Sequence, residues 1–329
     1  MVNERVAHYI EAYKRKLCND EKCPSDGSLR AYAYSIVWLE QRMDFPQEGG
    51  LPKPDLVLEY MENAKVSATR RSAVYTALKK WHGCHGENGC GEQYSKPLIR
   101  AHQGVMSQYD QQKRSKRQQD NWVEFPVLKK FAADLRDEVL SYDKHTFWTK
   151  PQYVKAQLAF IVLFHLRYPV RRDLQSVKWA DSADFQWGEK DNFVDPKTKE
   201  IVLRAHKTAK FYGEKRFRLS RVLWRIFGAL KIQQNKRGIH KTGHLLLNKY
   251  YRPMTPNGYT SWVTREMKRC PGCEKKAVGC MIIRHCCITH KRRHEMTDQE
   301  KRTFADKCMH SAERNNLYRT PKSHSQPAV

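Results

Sequence analysis

Phe193-Val194-Asp195-Pro196-Lys197-Thr198-Lys199-Glu200-Ile201-Val202-Leu203 breaks the helical rhythm of this chain. Aromatic and β-branched residues flank a Pro/Lys turn, a pattern that predicts a β-hairpin. Lys215 to Leu219, alternating through Phe217 and Leu219, predicts a third strand, and Ser220 is placed to cap a helix through Gln234. Outward from this stretch the spacing is helical. Upstream, Phe125–Ser141 and Pro151–Leu166 read as helices. Nearer the start, Val6, Ile10, Tyr13 and Leu17 recur at helical intervals, as do Leu29, Ala33, Ile36 and Leu39. Asp55 can cap a helix to about Ala64, Ser67 another through Trp81, and helix resumes around Pro97–Gln108. The expected fold is mainly α with a small antiparallel sheet, an α+β pattern.

The 329 residues hold 61 Lys+Arg against 35 Asp+Glu, a net charge of +26. The cations are spread through both halves, which suggests a long polyanion, and nucleic acid is the partner that fits. Mean hydropathy is −0.80. The longest apolar run, Leu158–Leu166, contains His165 and is followed by Arg167, so it reads as a buried helix and no membrane span is expected. The charged start Met1-Val2-Asn3-Glu4-Arg5 has no signal-peptide pattern, and an intracellular, unsecreted protein is expected. Ten cysteines are too few for a disulfide scaffold, which favours thiols or metal ligands in a reducing compartment. There is no Walker-type glycine loop. Asp181, Asp184, Asp191 and Asp195 read as hairpin and turn residues, not as a two-metal carboxylate cluster.

Gln111–Asp120 contains no apolar residue and reads as a flexible basic linker, with some likeness to a nuclear-import patch. It divides a helical part, about 1–118, from an α+β part, about 119–329.

Breaking a phosphodiester without a metal requires a nucleophile, cations for the non-bridging oxygens and an acid for the leaving oxygen. Several segments of the second part could supply them. Tyr168-Pro169-Val170-Arg171-Arg172-Asp173 joins two helices. Ala205-His206-Lys207-Thr208-Ala209-Lys210 closes a strand. Met281-Ile282-Ile283-Arg284-His285 places an arginine after an apolar run, and Met309-His310-Ser311 precedes Leu317-Tyr318-Arg319.

In this order the segments resemble the tyrosine recombinase (phage integrase-type) family over about Trp122–Tyr318. The Tyr-Pro-Val-Arg box, the Lys-Thr-Ala-Lys-Phe-Tyr-Gly turn and the short His310–Tyr318 spacing look most like its divergent members in large DNA viruses and eukaryotic mobile elements. The resemblance implies that 1–118 is a helical DNA core-binding domain and 119–329 the catalytic domain, closing as a clamp on duplex DNA. Tyr318 would attack the scissile phosphate to give a 3′-phosphotyrosyl link. Arg171 and Arg284 would hold the non-bridging oxygens, Lys207 would protonate the 5′-oxygen with Lys210 as second choice, and His310 would bond or position the phosphate. It also implies double-stranded DNA as partner, a homo-tetramer on two DNA sites, no metal or nucleotide cofactor for chemistry, and action in the nucleus or wherever viral or mobile-element DNA lies. Site-specific recombination or integration is the activity implied. The alternatives are a catalytically inactive DNA-binding protein derived from a recombinase, or a type IB topoisomerase.

Two positions depart from the family pattern. Val170 fills the slot of the first arginine, so Arg171 is chosen with Arg172 as its alternative. Met281 stands where the family generally has His or Lys, and a thioether cannot do acid–base work, which shifts attention to His285. Cys270-Pro271-Gly272-Cys273 is a zinc-knuckle pair for which Cys280 would be the third ligand of a structural zinc. Cys84, His85 and Cys90 form a second candidate cluster, and Cys18 with Cys23 a third.

Overall fold

The computed structural model describes residues 2–18, 23–43, 45, 51–83, 90–110, 114–180, 185–239, 243–291 and 296–309. The chain forms two compact units, Met1–Gln111 and Gln112–Val329. The division falls ahead of the basic run, which belongs with the second unit and is not wholly a linker. Ser115-Lys116-Arg117-Gln118 is a capping box: the Ser115 hydroxyl accepts from Gln118 N–H at 3.2 Å, and the Gln118 side chain accepts from Ser115 N–H at 2.8 Å. That reciprocal pair starts a short helix at Lys116, where the absence of apolar residues had suggested none.

The first unit is all helical: α1 (Val2–Leu17), α2 (Asp26–Glu40), α3 (Pro54–Asn63), α4 (Ala68–Gly83), α5 (Cys90–Gln93) and α6 (Ser95–Asp110). Leu29, Ile36 and Leu39 of α2 are buried with Tyr13, Val57, Met61 and Leu78. The Tyr13 hydroxyl donates to Ala77 O at 2.9 Å, so the one polar atom of that ring is satisfied inside the core. Asp55 is not the cap of α3. Lys53 occupies that position with Pro54 as the first helical residue, and Asp55 lies in the first turn, where its charge favours the helix dipole.

The second unit runs α7 (Lys116–Asp120), α8 (Phe125–Ser141), α9 (Lys150–Arg167), β1 (Val177–Lys178), β2 (Asn192–Asp195), β3 (Glu200–Leu203), α10 (Ala209–Tyr212), β4 (Lys215–Arg218), α11 (Arg221–Lys236), α12 (Pro256–Glu266), α13 (Cys280–Lys291) and α14 (Asp298–Lys307). The mainly α, α+β pattern is therefore present. The hairpin lies where the sequence puts it, with Phe193 opposite Val202 and Ile201 opposite Phe217. The sheet has four strands, not three, and is mixed: β1 adds in parallel beside β2, pairing Val177 with Asn192. Two residues of strand have no readable period, so that edge escapes a pattern search.

Helix α9 is apolar on nearly every side, with Ala156, Leu158, Phe160, Ile161, Val162 and Phe164 buried, and it forms the centre of the unit. Thr149 and Gln152 form its capping box. Two glutamines of α11 saturate buried polar groups around it. Gln234 Oε1 accepts from Trp179 Nε1 at 2.9 Å, while its amide donates to Tyr153 Oη at 2.9 Å and Leu245 O at 3.1 Å. Gln234→Ala should leave all three partners buried and unmatched, at about 1–3 kcal/mol per orphaned group. We expect a loss of roughly 3 kcal/mol in unfolding free energy, read from the urea midpoint at unchanged slope. A shift of only a few tenths would show that water replaces the amide. Among the described residues no helix is long and apolar enough to cross a membrane.

Candidate active site

The first arginine box begins where α9 stops. Val170 N–H donates to Tyr168 O at 2.7 Å, a three-residue turn around Pro169, whose missing N–H could not have continued a helix. The Tyr168 hydroxyl donates to Arg218 O of β4 at 2.9 Å and accepts from Arg167 Nε at 3.0 Å, tying the box to the sheet. Arg171 follows, half-buried, and Arg172 is exposed just before a 3-10 turn at Asp173–Ser176. The Arg171 main chain is held from beneath. His165, fully buried in α9, has Nε2 3.1 Å from Arg171 O and Nδ1 2.8 Å from Ile161 O. Carbonyls only accept, so each contact is a hydrogen bond when the ring nitrogen making it carries the proton. Burial disfavours the charged ring, but the Cys280 sulfur and the two carbonyls outweigh it and hold His165 above its ordinary value.

Lys207 lies exposed in the connection 204–214 between β3 and β4, with Lys210 exposed in α10. Asn192, 1% exposed, pins the start of this connection to the first box. Its side-chain oxygen accepts from Arg204 N and Ala205 N, both at 2.8 Å, and its amide donates to Ala205 O at 2.9 Å and Ser176 Oγ at 2.8 Å.

Arg284, on α13, is 0% exposed. Its guanidinium donates to Pro169 O through Nη1 and to Cys308 O through Nη2, the latter at 2.7 Å. One side chain thus joins the first box, α13 and the residue before Met309. A second tie, Lys215 Nζ to the Asp306 carboxylate, joins β4 to α14. The first box, the β3–β4 connection, α13 and the end of α14 are therefore tertiary neighbours. His310 and Tyr318 lie outside the described residues. In this arrangement one hydrogen on each of Nη1 and Nη2 is committed to a main-chain carbonyl, and an anion would reach those two only by displacing a carbonyl. An anionic oxygen is the stronger acceptor in such an exchange.

Met281 is 41% exposed on the first turn of α13. His285, one turn further along α13, has Nε2 3.3 Å from Gln118 Nε2 of α7.

The cysteines are distributed differently from the zinc reading. Cys270 and Cys273 face each other through a shared side-chain hydrogen bond that raises Cys270 and lowers Cys273 from the ordinary thiol value. Cys280 is buried on the first turn of α13, in the same region as His165 and Tyr259. Cys286 is buried in apolar surroundings, which push its thiol up to about 12. Among the described residues no group of three or more His, Cys, Asp or Glu is gathered as ligands of a metal ion would be. Cys18 and Cys23 are joined as a disulfide, which occupies both sulfurs that the zinc reading would use. Residues 84–89, including Cys84 and His85, lie outside the described residues.

His165 and Asn192 are the positioning residues that the sequence reading passed over. His165 had left a signal, as the one polar residue inside the Leu158–Leu166 run. Asn192 had left none, since its four partners come from two segments, Ser176 and Arg204–Ala205, more than ten residues away on either side. No family model matches the chain, and no curated protein matches it.

Proposed function

We propose that this protein cleaves and rejoins double-stranded DNA as a tyrosine-type site-specific recombinase, serving a mobile element or viral genome in the compartment that holds that DNA. The observation that carries the reading is the Arg284 tie. It draws together the Pro169-Val170-Arg171 box and the Cys308–Met309 segment that leads into His310, two segments more than a hundred residues apart. Tyr318 Oη, its proton released to solvent, attacks the scissile phosphorus; the new P–O bond replaces the P–O5′ bond, and the proton from Lys207 Nζ goes to O5′. Arg171 and Arg284 bind the non-bridging oxygens, whose geometry matches a guanidinium fork. His310 positions the phosphate. Because one phosphoester replaces another, rejoining is the same step in reverse. The working assembly is a homo-tetramer on two DNA sites.

The test is a covalent trap. Duplex DNA nicked beside the cleavage position loses its short 5′-hydroxyl strand and leaves the protein joined to the 3′ side. A phosphotyrosyl peptide containing Tyr318 is the expected product; DNA binding with no adduct on any candidate site would favour the inactive DNA-binding reading. That alternative draws on two observations, the covered Arg284 and Met281. Relaxation of supercoils by a monomer would favour the topoisomerase.

The role of Lys207 has its own measurement. A positioned acid contributes about 10²–10⁴-fold. Lys207→Ala should lose rate in that range on ordinary DNA and regain it where sulfur replaces the bridging 5′-oxygen, since a thiolate departs without a proton. Equal losses on both substrates would assign Lys207 to phosphate binding.

A further inference from the structure

The β3–β4 connection carries a feature that the chemistry above does not use. Phe211, on α10, is 77% exposed, more than any other large apolar side chain described. Among the described residues the second unit has three further exposed aromatic rings, and each has a ring or cation from the same chain against it. Arg237 lies over Phe147 at 4.2 Å, Lys249 over Tyr250 at 4.8 Å, and Trp187 sits 4.7 Å from Phe185. Among the described residues neither a ring nor a cation stacks on Phe211.

The ring also stands on a rigid base. His206 Nε2 lies 2.9 Å from Gly213 O, so that nitrogen carries the proton, and Nδ1 accepts from the Thr208 hydroxyl at 3.2 Å. Gly213, at φ 60°, closes the turn in a conformation that side chains disfavour, and its N–H donates to Ala209 O at 2.8 Å. The charge around the ring is one-sided. Lys207 and Lys210 are exposed, whereas the carboxylate of Glu214 is taken up by Arg204 at 2.7 Å and Arg216 at 2.8 Å.

A free aromatic face next in sequence to the exposed Lys210, on a braced turn, fits a polyanion that also offers flat rings. We infer that Phe211 inserts at a base step of the bound duplex and stacks on a base, while Lys210 holds a flanking phosphate. Aromatic stacking on bases is worth about 1–3 kcal/mol per base and tolerates any sequence, because every base has a π-face; apolar wedges at duplex steps act in the same way. Since the turn is already ordered, little conformational freedom is lost on binding. The inference rests on the reading of this unit as a DNA-cleaving domain, and deepens it by assigning a contact to the bases next to the reacting phosphate.

The experiment uses the full chain and duplex DNA in which scattered thymines are replaced by 5-iododeoxyuridine, a probe that cross-links to aromatic side chains stacked on it when irradiated. Trypsin should release a DNA-linked peptide spanning Phe211–Lys215. Phe211→Ala should remove that cross-link and weaken binding about tenfold at unchanged salt dependence, within the range of one lost stack. Phe211→Trp should restore both. Lys210→Ala should instead flatten the salt dependence by about one phosphate contact. Cross-links confined to other peptides, with Phe211→Ala binding as tightly as the parent, would overturn the inference. The covalent trap separates this from the underlying reading. An adduct on Tyr318 with no role for Phe211 removes only the inference. A cross-link at Phe211 with no adduct keeps the DNA contact and removes the cleavage. Failure of the parent protein to bind duplex DNA removes both.

Discussion

Tyr318→Phe is expected to abolish the covalent complex on nicked duplex DNA, a loss of at least about 10³-fold, while DNA affinity and thermal unfolding stay within error of the parent protein. The substitution removes one oxygen, and that oxygen is the atom that would form the bond to phosphorus; no neighbouring group replaces a nucleophile at the same point. The other tyrosines near the candidate site are poorly suited. The Tyr168 hydroxyl is engaged by Arg218 O and Arg167 Nε. Burial raises Tyr153 and Tyr259 well above the ordinary phenol value, which makes the attacking phenolate scarcer. Tyr212 is the one tyrosine of the β3–β4 connection, which makes Tyr212→Phe the control that should keep full adduct yield. An adduct that survives Tyr318→Phe would show that the C-terminal segment was aligned on the wrong residue, and the peptide bearing the phosphate would name the right one.

The second large effect is on stability. Arg284→Ala should destabilise the second unit by about 4 kcal/mol, or roughly 10 °C in Tm for a unit of this size. Two main-chain carbonyls, Pro169 O and Cys308 O, lose their donors in a place from which water is excluded. Each orphaned acceptor costs about 1–3 kcal/mol, and the cavity left by a long side chain adds to that. Arg284→Lys, which can reach one carbonyl but not span both, should fall between. The comparison that gives this meaning is Lys207→Ala. Lys207 is exposed, so its loss should leave Tm unchanged while lowering cleavage. A residue reserved for phosphate would behave like Lys207. Arg284 should lower both readouts, and an unchanged Tm for Arg284→Ala would mean that its contacts to Pro169 and Cys308 contribute nothing to the native state.

How much was legible in the sequence follows from the range of the physics involved. The hairpin at 193–203, the caps at Ser67 and Ser220 and the span Phe125–Ser141 are set by residues within one or two turns of one another, and all stand where the local pattern puts them. The capping box at Ser115 obeys the same local rule and was legible; it was missed because a run without apolar residues drew attention to charge instead. The order of the Arg171, Lys207, Arg284, His310 and Tyr318 segments came from resemblance, not from spacing.

The sequence by itself thus determined the class of the longer elements, the basic charge and the two-part organisation, because helical and strand periods and net charge are properties of neighbouring residues or of plain sums. Only the tertiary structure decided that β1 adds in parallel to the hairpin, that His165 lies under the Arg171 main chain, and that Arg284 is sealed between Pro169 and Cys308. Each of those depends on which segments share one interior. There an unmatched polar group is costly, so buried donors are assigned to whichever carbonyls the packing brings within reach.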